Sequence, residues 1–278
     1  WTITTTRGDE LSSRFFVTAG GILHKAKLPG IPGINDFQGR AFHTSRWDYT
    51  FTGGGPREPM EELRNMRVGI IGTGATAVQA VPRLAETAKE LYVFQRTPSA
   101  VGVRNNGPVD PAWFDTLEPG WHDERVRNFT HAVTGVQPEK DLVSDGWTKV
   151  MWVNAQEPTE DPEKIEELER EDFEMMQDMR DRIDEIVNDP VTADRLKPWY
   201  GKHCKRICFH DEYLPAFNKP HVNLVDTAPM GVNKINENGI VHDGVEYPLD
   251  VLIYATGFRW MATSTFNMIV GRDGQTLT

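Results

Sequence analysis

Cysteine is nearly missing from this chain: 278 residues contain two, Cys204 and Cys208. Two thiols four positions apart cannot staple a small secreted scaffold. With only His203 and His210 nearby they also fall short of a zinc site, in a segment that reads half as strand, and they are read as ordinary thiols. Long apolar runs are missing too. No stretch approaches the roughly 20 residues that a membrane-crossing helix needs, and the start, Trp1 to Phe16, has no basic region followed by an apolar core, so it is not read as a signal peptide. Positive charge is in deficit, with 30 Lys and Arg against 41 Asp and Glu, a net charge of -11 and a pI near 5.2. That balance argues against nucleic acid or an anionic membrane surface as a partner and favours a soluble, cytoplasmic protein. An initiator methionine is absent as well, and the chain is expected to begin inside a longer sequence.

What is present is organised around Arg67 to Arg96. A short apolar run, Val68 to Ile71, meets Gly72-x-Gly74-x-x-Ala77; a helical pattern follows, and a second apolar run, Leu91 to Phe94, ends at Gln95-Arg96. Strand, glycine turn, helix and strand make a dinucleotide-binding unit. Gly72 permits the tight turn, Gly74 lets the backbone approach a pyrophosphate seated on the helix N-terminus, and Ala77 lets the helix pack close to the sheet. The candidate contacts are Gly72, Thr73, Gly74, Ala75, Thr76, Ala77 and Gln79. Where an NAD site usually carries Asp or Glu for the ribose 2'-hydroxyl, this chain has Arg96 with Thr97 beside it. A carboxylate would repel a 2'-phosphate and a guanidinium binds one through paired charged hydrogen bonds, so the expected nucleotide is NADP(H).

Around this unit, Trp1 to Thr6 alternates like a strand, Arg7-Gly8-Asp9-Glu10 reads as a turn, and Arg14 to Thr18 as a returning strand. The run Phe15 to Thr18 stops at Ala19-Gly20-Gly21, and the same grammar recurs at Val251 to Tyr254 with Ala255-Thr256-Gly257. The two copies look like the closing strands of two nucleotide domains. The second closes the domain opened at Val68; the opening glycine turn of the first is expected upstream of Trp1. Leu28 to Phe37 is a Pro- and Gly-rich connection. After it comes Phe37-x-Gly39-x-x-x-His43-x-x-x-Trp47-Asp48, in which His43 and Trp47 read equally as a stack on a helical face, as a loop tied down by aromatics, or as functional.

Tyr49 to Pro59 reads as a loop and Met60 to Asn65 as a polar turn. Over 101–150 the periodicity is poor, consistent with irregular helices. Trp113, Phe114, Trp121, Phe129, Trp147 and Trp152 either pack a core or line an apolar cavity. The clearest helix is Pro162 to Val187, capped by Asp161, with Ile165, Leu168, Met175 or Met176, Met179, Ile183 and Ile186 on one face and its carboxylates in water. In Leu196 to Asp226, Lys202, Lys205 and Arg206 interleave with Trp199, Tyr200, Cys204, Ile207, Cys208 and Phe209, either a solvated face or a partly buried phosphate- or flavin-facing site. Val222 to Val225 reads as a strand, and Asn236 to Tyr247 as a hairpin turning at His242-Asp243-Gly244.

Taken together these segments resemble the single-component Baeyer-Villiger monooxygenases that use FAD and NADPH. Phe37 to Asp48, FQGRAFHTSRWD, fits the family pattern Phe-x-Gly-x-x-x-His-x-x-x-Trp followed by Pro or Asp. Support comes from Gly72 to Ala77, Gln95-Arg96-Thr97-Pro98, Gly201 to Arg206 and Ala255-Thr256-Gly257. The resemblance implies an α/β, three-layer, two-dinucleotide-binding (Rossmann-like) flavoenzyme fold with a helical insertion and a partial FAD domain. It divides the chain into 1–48 (fragment of the FAD domain and linker with the motif), 49–100 (first part of the NADP(H) domain), 101–195 (helical insertion), 196–257 (second part of the NADP(H) domain) and 258–278 (return toward the FAD domain). The implied reaction converts a ketone and O2 to an ester or lactone through a peroxyflavin, with FAD carrying the organic chemistry. Arg206 becomes the arginine that stabilises the peroxyanion; Lys205, Arg96 and Thr97 hold the NADP phosphate; His43 couples nicotinamide position to the flavin; and Phe37, Gly39, Trp47 and Asp48 complete the motif. Ala19-Gly20-Gly21 departs from the usual Ala-Thr-Gly. The chain alone is expected not to hold FAD tightly, the remainder of that domain lying in a missing segment or on a protein partner. A related flavin monooxygenase acting on amines or sulfides, or an inactive nucleotide-binding remnant, is the alternative.

Overall fold

The structure is a computed structural model. It describes residues 1–19, 21–55, 58–134, 136, 138–152, 159–202, 204–259 and 269–276, with 151–152 as backbone alone. Gly20 and His203, both part of sequence motifs, lie outside the described residues, as do residues 260–268. The chain forms two compact units, Gly30–Ala255 on the one hand and Trp1–Pro29 with Thr256–Thr278 on the other.

In the smaller unit, β1 (Thr2–Thr4) and β2 (Glu10–Ser12) pair antiparallel with Ile3 opposite Leu11. The returning strand was expected at Arg14 to Thr18, and the structure places it earlier. Thr5 sets the register: its N–H donates to the Asp9 carbonyl at 2.9 Å, its carbonyl accepts from Gly8 at 3.0 Å, and its hydroxyl donates to the Asp9 carboxylate at 2.6 Å. That closed turn forces pairing to begin at Glu10, so Phe15 to Thr18 forms no strand and Phe15, Phe16 and Val17 are exposed. Residues 25–27 are tied to 257–259 through Lys27 N–H to the Gly257 carbonyl and Arg259 N–H to the Lys25 carbonyl, both 2.9 Å.

The larger unit opens with β3 (Arg40–His43) and α1 (Tyr49–Thr52). Asp48 caps α1 by accepting the Phe51 N–H at 3.2 Å, so the expected loop begins as a helical turn. Next come β4 (Arg67–Ile71), α2 (Ala75–Thr87) and β5 (Glu90–Gln95), which match the glycine-turn unit read from sequence. The insertion contains β6 (Val101–Gly102), α3 (Pro111–Phe114), α4 (Trp121–Val133), α5 (Gly146–Trp152), α6 (Pro162–Ile186) and α7 (Pro190–Leu196). The chain then returns through β7 (Cys208–Phe209), α8 (Tyr213–Ala216) and β8 (Val222–Asp226). A small antiparallel sheet of β9 (Lys234–Ile235), β10 (Gly239–His242) and β11 (Val245–Pro248) precedes β12 (Val251–Tyr254). Asp243 and Gly244 take φ of 47° and 78° at the β10–β11 turn, the paired positive values of a tight hairpin.

The central sheet is parallel throughout, in the order β3-β12-β4-β5-β8. Its three inner strands are apolar on both faces because both are covered. Val251 and Ile253 join Val68, Ile70, Leu91 and Val93 against α2 and α8, while Leu252 and Tyr254 join Ile71 and Phe94 against Ile235 and Ile240 of the small sheet and Leu249, which follows it. Helices, parallel sheet and antiparallel sheet therefore make the three layers. Burying Val78, Val81 and Leu84 of α2 contributes about 1.5–3 kcal/mol each. Gly69 is required by this packing, since a Cβ there would lie 2.5 Å from Leu249 Cδ1. A separate small core of Ala100, Val150, Met176, Met179 and Ile207 holds the insertion. The apolar face of α6 is thus buried only in its C-terminal half, with Ile165 and Phe173 exposed.

Candidate functional site

All ligand-directed features of a doubly wound sheet belong at the carboxyl ends of its strands. In register, Tyr254 of β12 lies between His43 of β3 and Ile71 of β4. His43 and the glycine turn that follows Ile71 thus leave the same edge, two strand spacings or roughly 10 Å apart.

The turn is built as its sequence requires. Gly72 has φ +106°, donates its N–H to the Phe94 carbonyl at 3.1 Å, and would bring a Cβ to 2.6 Å from the Ala255 carbonyl oxygen. Gly74 has ordinary φ (-71°) and is the N-cap of α2, and a Cβ added to it meets nothing within 4 Å. Its glycine is therefore not demanded by the fold; it keeps open the space in front of the helix. No side chain caps α2 and no carboxylate sits in its first turn, whereas Asp110, Asp161 and Asp189 cap α3, α6 and α7. The first-turn amides of α2, at Ala75, Thr76 and Ala77, are left for an anion. Ala77 is fully buried against the sheet, and Gln79 folds back to donate to the Ala75 carbonyl at 2.9 Å. A pyrophosphate fits this cradle.

Thr73 joins the turn to the end of β5. Its hydroxyl donates to the Thr97 carbonyl at 2.8 Å, and Ser99 donates to the Thr73 carbonyl. Arg96 is exposed at that strand end. Lys205 is close enough to feel it: burial first, and the Arg96 charge second, hold the Lys205 ammonium below the usual lysine value. Neither cation makes an ion pair among the described residues. Arg96 and Lys205 thus bring two positive charges within electrostatic reach of each other at the end of β5.

The other motif residues divide into fasteners and one presented group. A Cβ on Gly39 would lie 2.4 Å from the Phe37 ring and 2.6 Å from the Asp250 carbonyl, so Phe37 and Gly39 form one packing device. Trp47 donates from Nε1 to the Thr52 hydroxyl at 3.1 Å and sits edge-on to Phe42 at 5.4 Å. Asp48 pairs with Arg40 as well as capping α1. His43 is 6% exposed, and its Nδ1 accepts the Ser45 N–H at 3.2 Å with the Ser45 hydroxyl 2.9 Å away. An accepting Nδ1 assigns the proton of the neutral ring to Nε2. The four-residue spacing to Trp47 arises from a strand followed by a 3-10 turn and not from a helical face.

Arg206 is exposed, with its guanidinium carbon 4.8 Å from the centre of the Trp147 ring. Trp147 packs edge-on against Phe209 at 4.8 Å, whereas Trp113 clusters with Phe114 and Trp121. The ring contacts among the described residues thus fall in two groups, and the side chain of Trp152 lies outside the described residues. A cavity of about 900 Å³ in the insertion is lined instead by Val103, Arg104, Arg125, Asp141, Asp145 and Lys149, among others. Cys204 and Cys208 are free thiols, and burial pushes Cys208 up. No group of His, Cys, Asp and Glu suited to a metal ion occurs among the described residues, and no helix there is long and apolar enough to cross a membrane. Sequence reasoning passed over Ser99, whose signal was its place in the segment that follows Arg96, and named Tyr200 only among the aromatics interleaved with the basic residues, without its partners.

No protein-family model matches the chain. It is 51% identical over 288 residues to Baeyer-Villiger monooxygenase ATR8 of Stachybotrys chlorohalonatus, covering 100% of this chain and 46% of that protein. Its fold is similar to the polycyclic ketone monooxygenase of Thermothelomyces thermophila, with a TM-score of 0.87 and 41% identity over 99% of this chain and 48% of that one. It is also similar to OTEMO in complex with FAD and NADP, with a TM-score of 0.71 and 29% identity over 100% of this chain and 53% of that one. The chain spans about half the length of the curated relatives it matches.

Proposed function

We propose that this chain, which matches the FAD- and NADPH-dependent Baeyer-Villiger monooxygenase family over about half the length of its members, is the reductant-holding part of an enzyme that oxygenates a ketone to an ester or lactone. The observation that carries this reading is the pairing of Arg96 and Lys205 beside the uncapped N-terminus of α2. The α2 amides hold the pyrophosphate, Gly74 gives it room, and Arg96 and Lys205, with Thr97, hold the 2'-phosphate. Bound NADPH supplies hydride, and bound FAD supplies the oxygen-activating chemistry. His43, buried at the carboxyl edge of the sheet and held through Nδ1, governs where the nicotinamide rests. Arg206, lying over the Trp147 ring at 4.8 Å, supplies a permanent positive charge where negative charge develops on oxygen.

The test is product analysis with the full-length protein, a cyclic ketone, NADPH and isotope-labelled O2. One labelled oxygen in a ring-expanded lactone supports the proposal. Labelled sulfoxide or N-oxide from competing substrates with no lactone overturns it.

A further inference from the structure

Lys205 and Arg206 lie in a loop, 201–207, that is fastened at both ends to the segment following Arg96. At the far end β7 pairs with β6: Cys208 N–H donates to the Ala100 carbonyl at 2.9 Å and His210 N–H to the Gly102 carbonyl at 3.0 Å. At the near end the fastener is one side chain. The Tyr200 hydroxyl donates to the Pro98 carbonyl at 2.9 Å and accepts the Ala100 N–H at 3.0 Å, spanning two residues of the segment that begins at Arg96. Burial pushes this phenol up to about 12, so it stays neutral and can serve as donor and acceptor at once. The other face of the residue is used as well, since Lys205 Nζ lies 5.5 Å from the centre of the Tyr200 ring.

We infer that Tyr200 is a specificity-determining positioning residue, which sets the distance between Arg96 and Lys205 and so makes the pair selective for a 2'-phosphorylated dinucleotide. The inference rests on the 2'-phosphate reading above. Two like charges repel, and an untethered stretch would let the exposed Lys205 move away from Arg96. Tyr200 holds Lys205 against that repulsion from two sides, by anchoring the backbone to the Arg96 segment and by placing a π face under the ammonium. The element behind it is rigid. Arg180 of α6 donates from Nη1 to the Pro198 carbonyl at 3.1 Å, and Asp172 of α6 accepts the Lys202 N–H at 3.0 Å, so the helix brackets Tyr200 on both sides. The long acidic helix is thereby the wall on which the cation loop is mounted.

The experiment measures dissociation constants of NADP+ and NAD+ by calorimetry for the chain and for Tyr200→Phe, Lys205→Ala, Arg96→Ala and the double variant Tyr200→Phe/Lys205→Ala, with thermal melts alongside. Tyr200→Phe keeps the ring and removes both hydrogen bonds, and it is expected to weaken NADP+ about tenfold while leaving NAD+ within about twofold. In the Lys205→Ala background the same change is expected to have no further effect on NADP+, because Tyr200 acts through Lys205. That non-additivity would not arise from a general loss of stability, and it is read even if Tyr200→Phe melts early. Equal weakening of NADP+ and NAD+, or full additivity with Lys205→Ala, overturns the role of Tyr200 alone when Arg96→Ala still discriminates. If Arg96→Ala weakens both nucleotides equally, the 2'-phosphate reading falls and this inference with it.

Discussion

Arg206 lies over Trp147 at 4.8 Å, and Trp147 is itself wedged edge-on against Phe209. A guanidinium has a planar, weakly hydrated face that stacks well, so the ring holds the charge in place without neutralising it. This relationship predicts that Trp147→Ala in the full-length protein lowers kcat for ketone oxygenation about tenfold with little change in the NADPH dissociation constant, whereas Arg206→Ala lowers kcat by about 10²–10³. Steady-state kinetics with nucleotide titrations check both.

Gly72 and Gly74 are predicted to fail in different ways. Gly72→Ala places a side chain at φ +106° and 2.6 Å from the Ala255 carbonyl, costing about 1–3 kcal/mol of stability. Gly74→Ala has normal φ and open space, so its melting temperature should stay within about 2 °C of the unaltered chain. Its nucleotide affinity should nevertheless fall about tenfold or more, because the methyl group stands where the pyrophosphate approaches. Melting and calorimetry on the two variants separate the cases.

Asp250 and Arg67 join residues 183 positions apart: the carboxylate accepts from Arg67 Nη2 at 3.0 Å, Nε at 3.1 Å and the backbone N–H at 2.8 Å, pinning β4 to the residue before β12. The Arg67 hydrogen bonds hold the Asp250 carboxyl below its usual value. A depressed carboxylate contributes stability above its unfolded pKa and loses it as pH falls through the folded one. Asp250→Asn is therefore predicted to cost about 1 kcal/mol, discounted because both side chains are more than a third exposed. Urea titrations should show that gap constant from pH 8 down to about 5 and closing below about 4.

Much of this was legible in the residues alone, for physical reasons that differ by element. β4, β5 and β12 could be read almost to the residue and α2 as the helix between them, because strands covered on both faces are continuous apolar runs and a glycine turn has few alternatives. Asp161 and Pro162 announced the start of α6 through local capping chemistry. The hairpin register in the smaller unit was not legible, since the Thr5–Asp9 turn competes with the apolar run at Phe15 and wins by local hydrogen bonds. The tethering role of Tyr200 was not legible for another reason. Its partners, Pro98 and Ala100, are about a hundred residues away, and a tyrosine between Trp199 and Gly201 carries no pattern that points to them. The aromatics of the insertion were ambiguous because composition cannot say which rings meet; Trp147 found Phe209 while Trp113 found Trp121.

The most direct test of the central claim is the ratio of the NADP+ and NAD+ dissociation constants of the unaltered chain, measured by calorimetry at one fixed salt concentration. If Arg96 and Lys205 hold the 2'-phosphate as proposed, NADP+ binds at least about 30-fold more tightly, the effect of charged hydrogen bonds that NAD+ cannot make. A ratio near one, or a preference for NAD+, would contradict it.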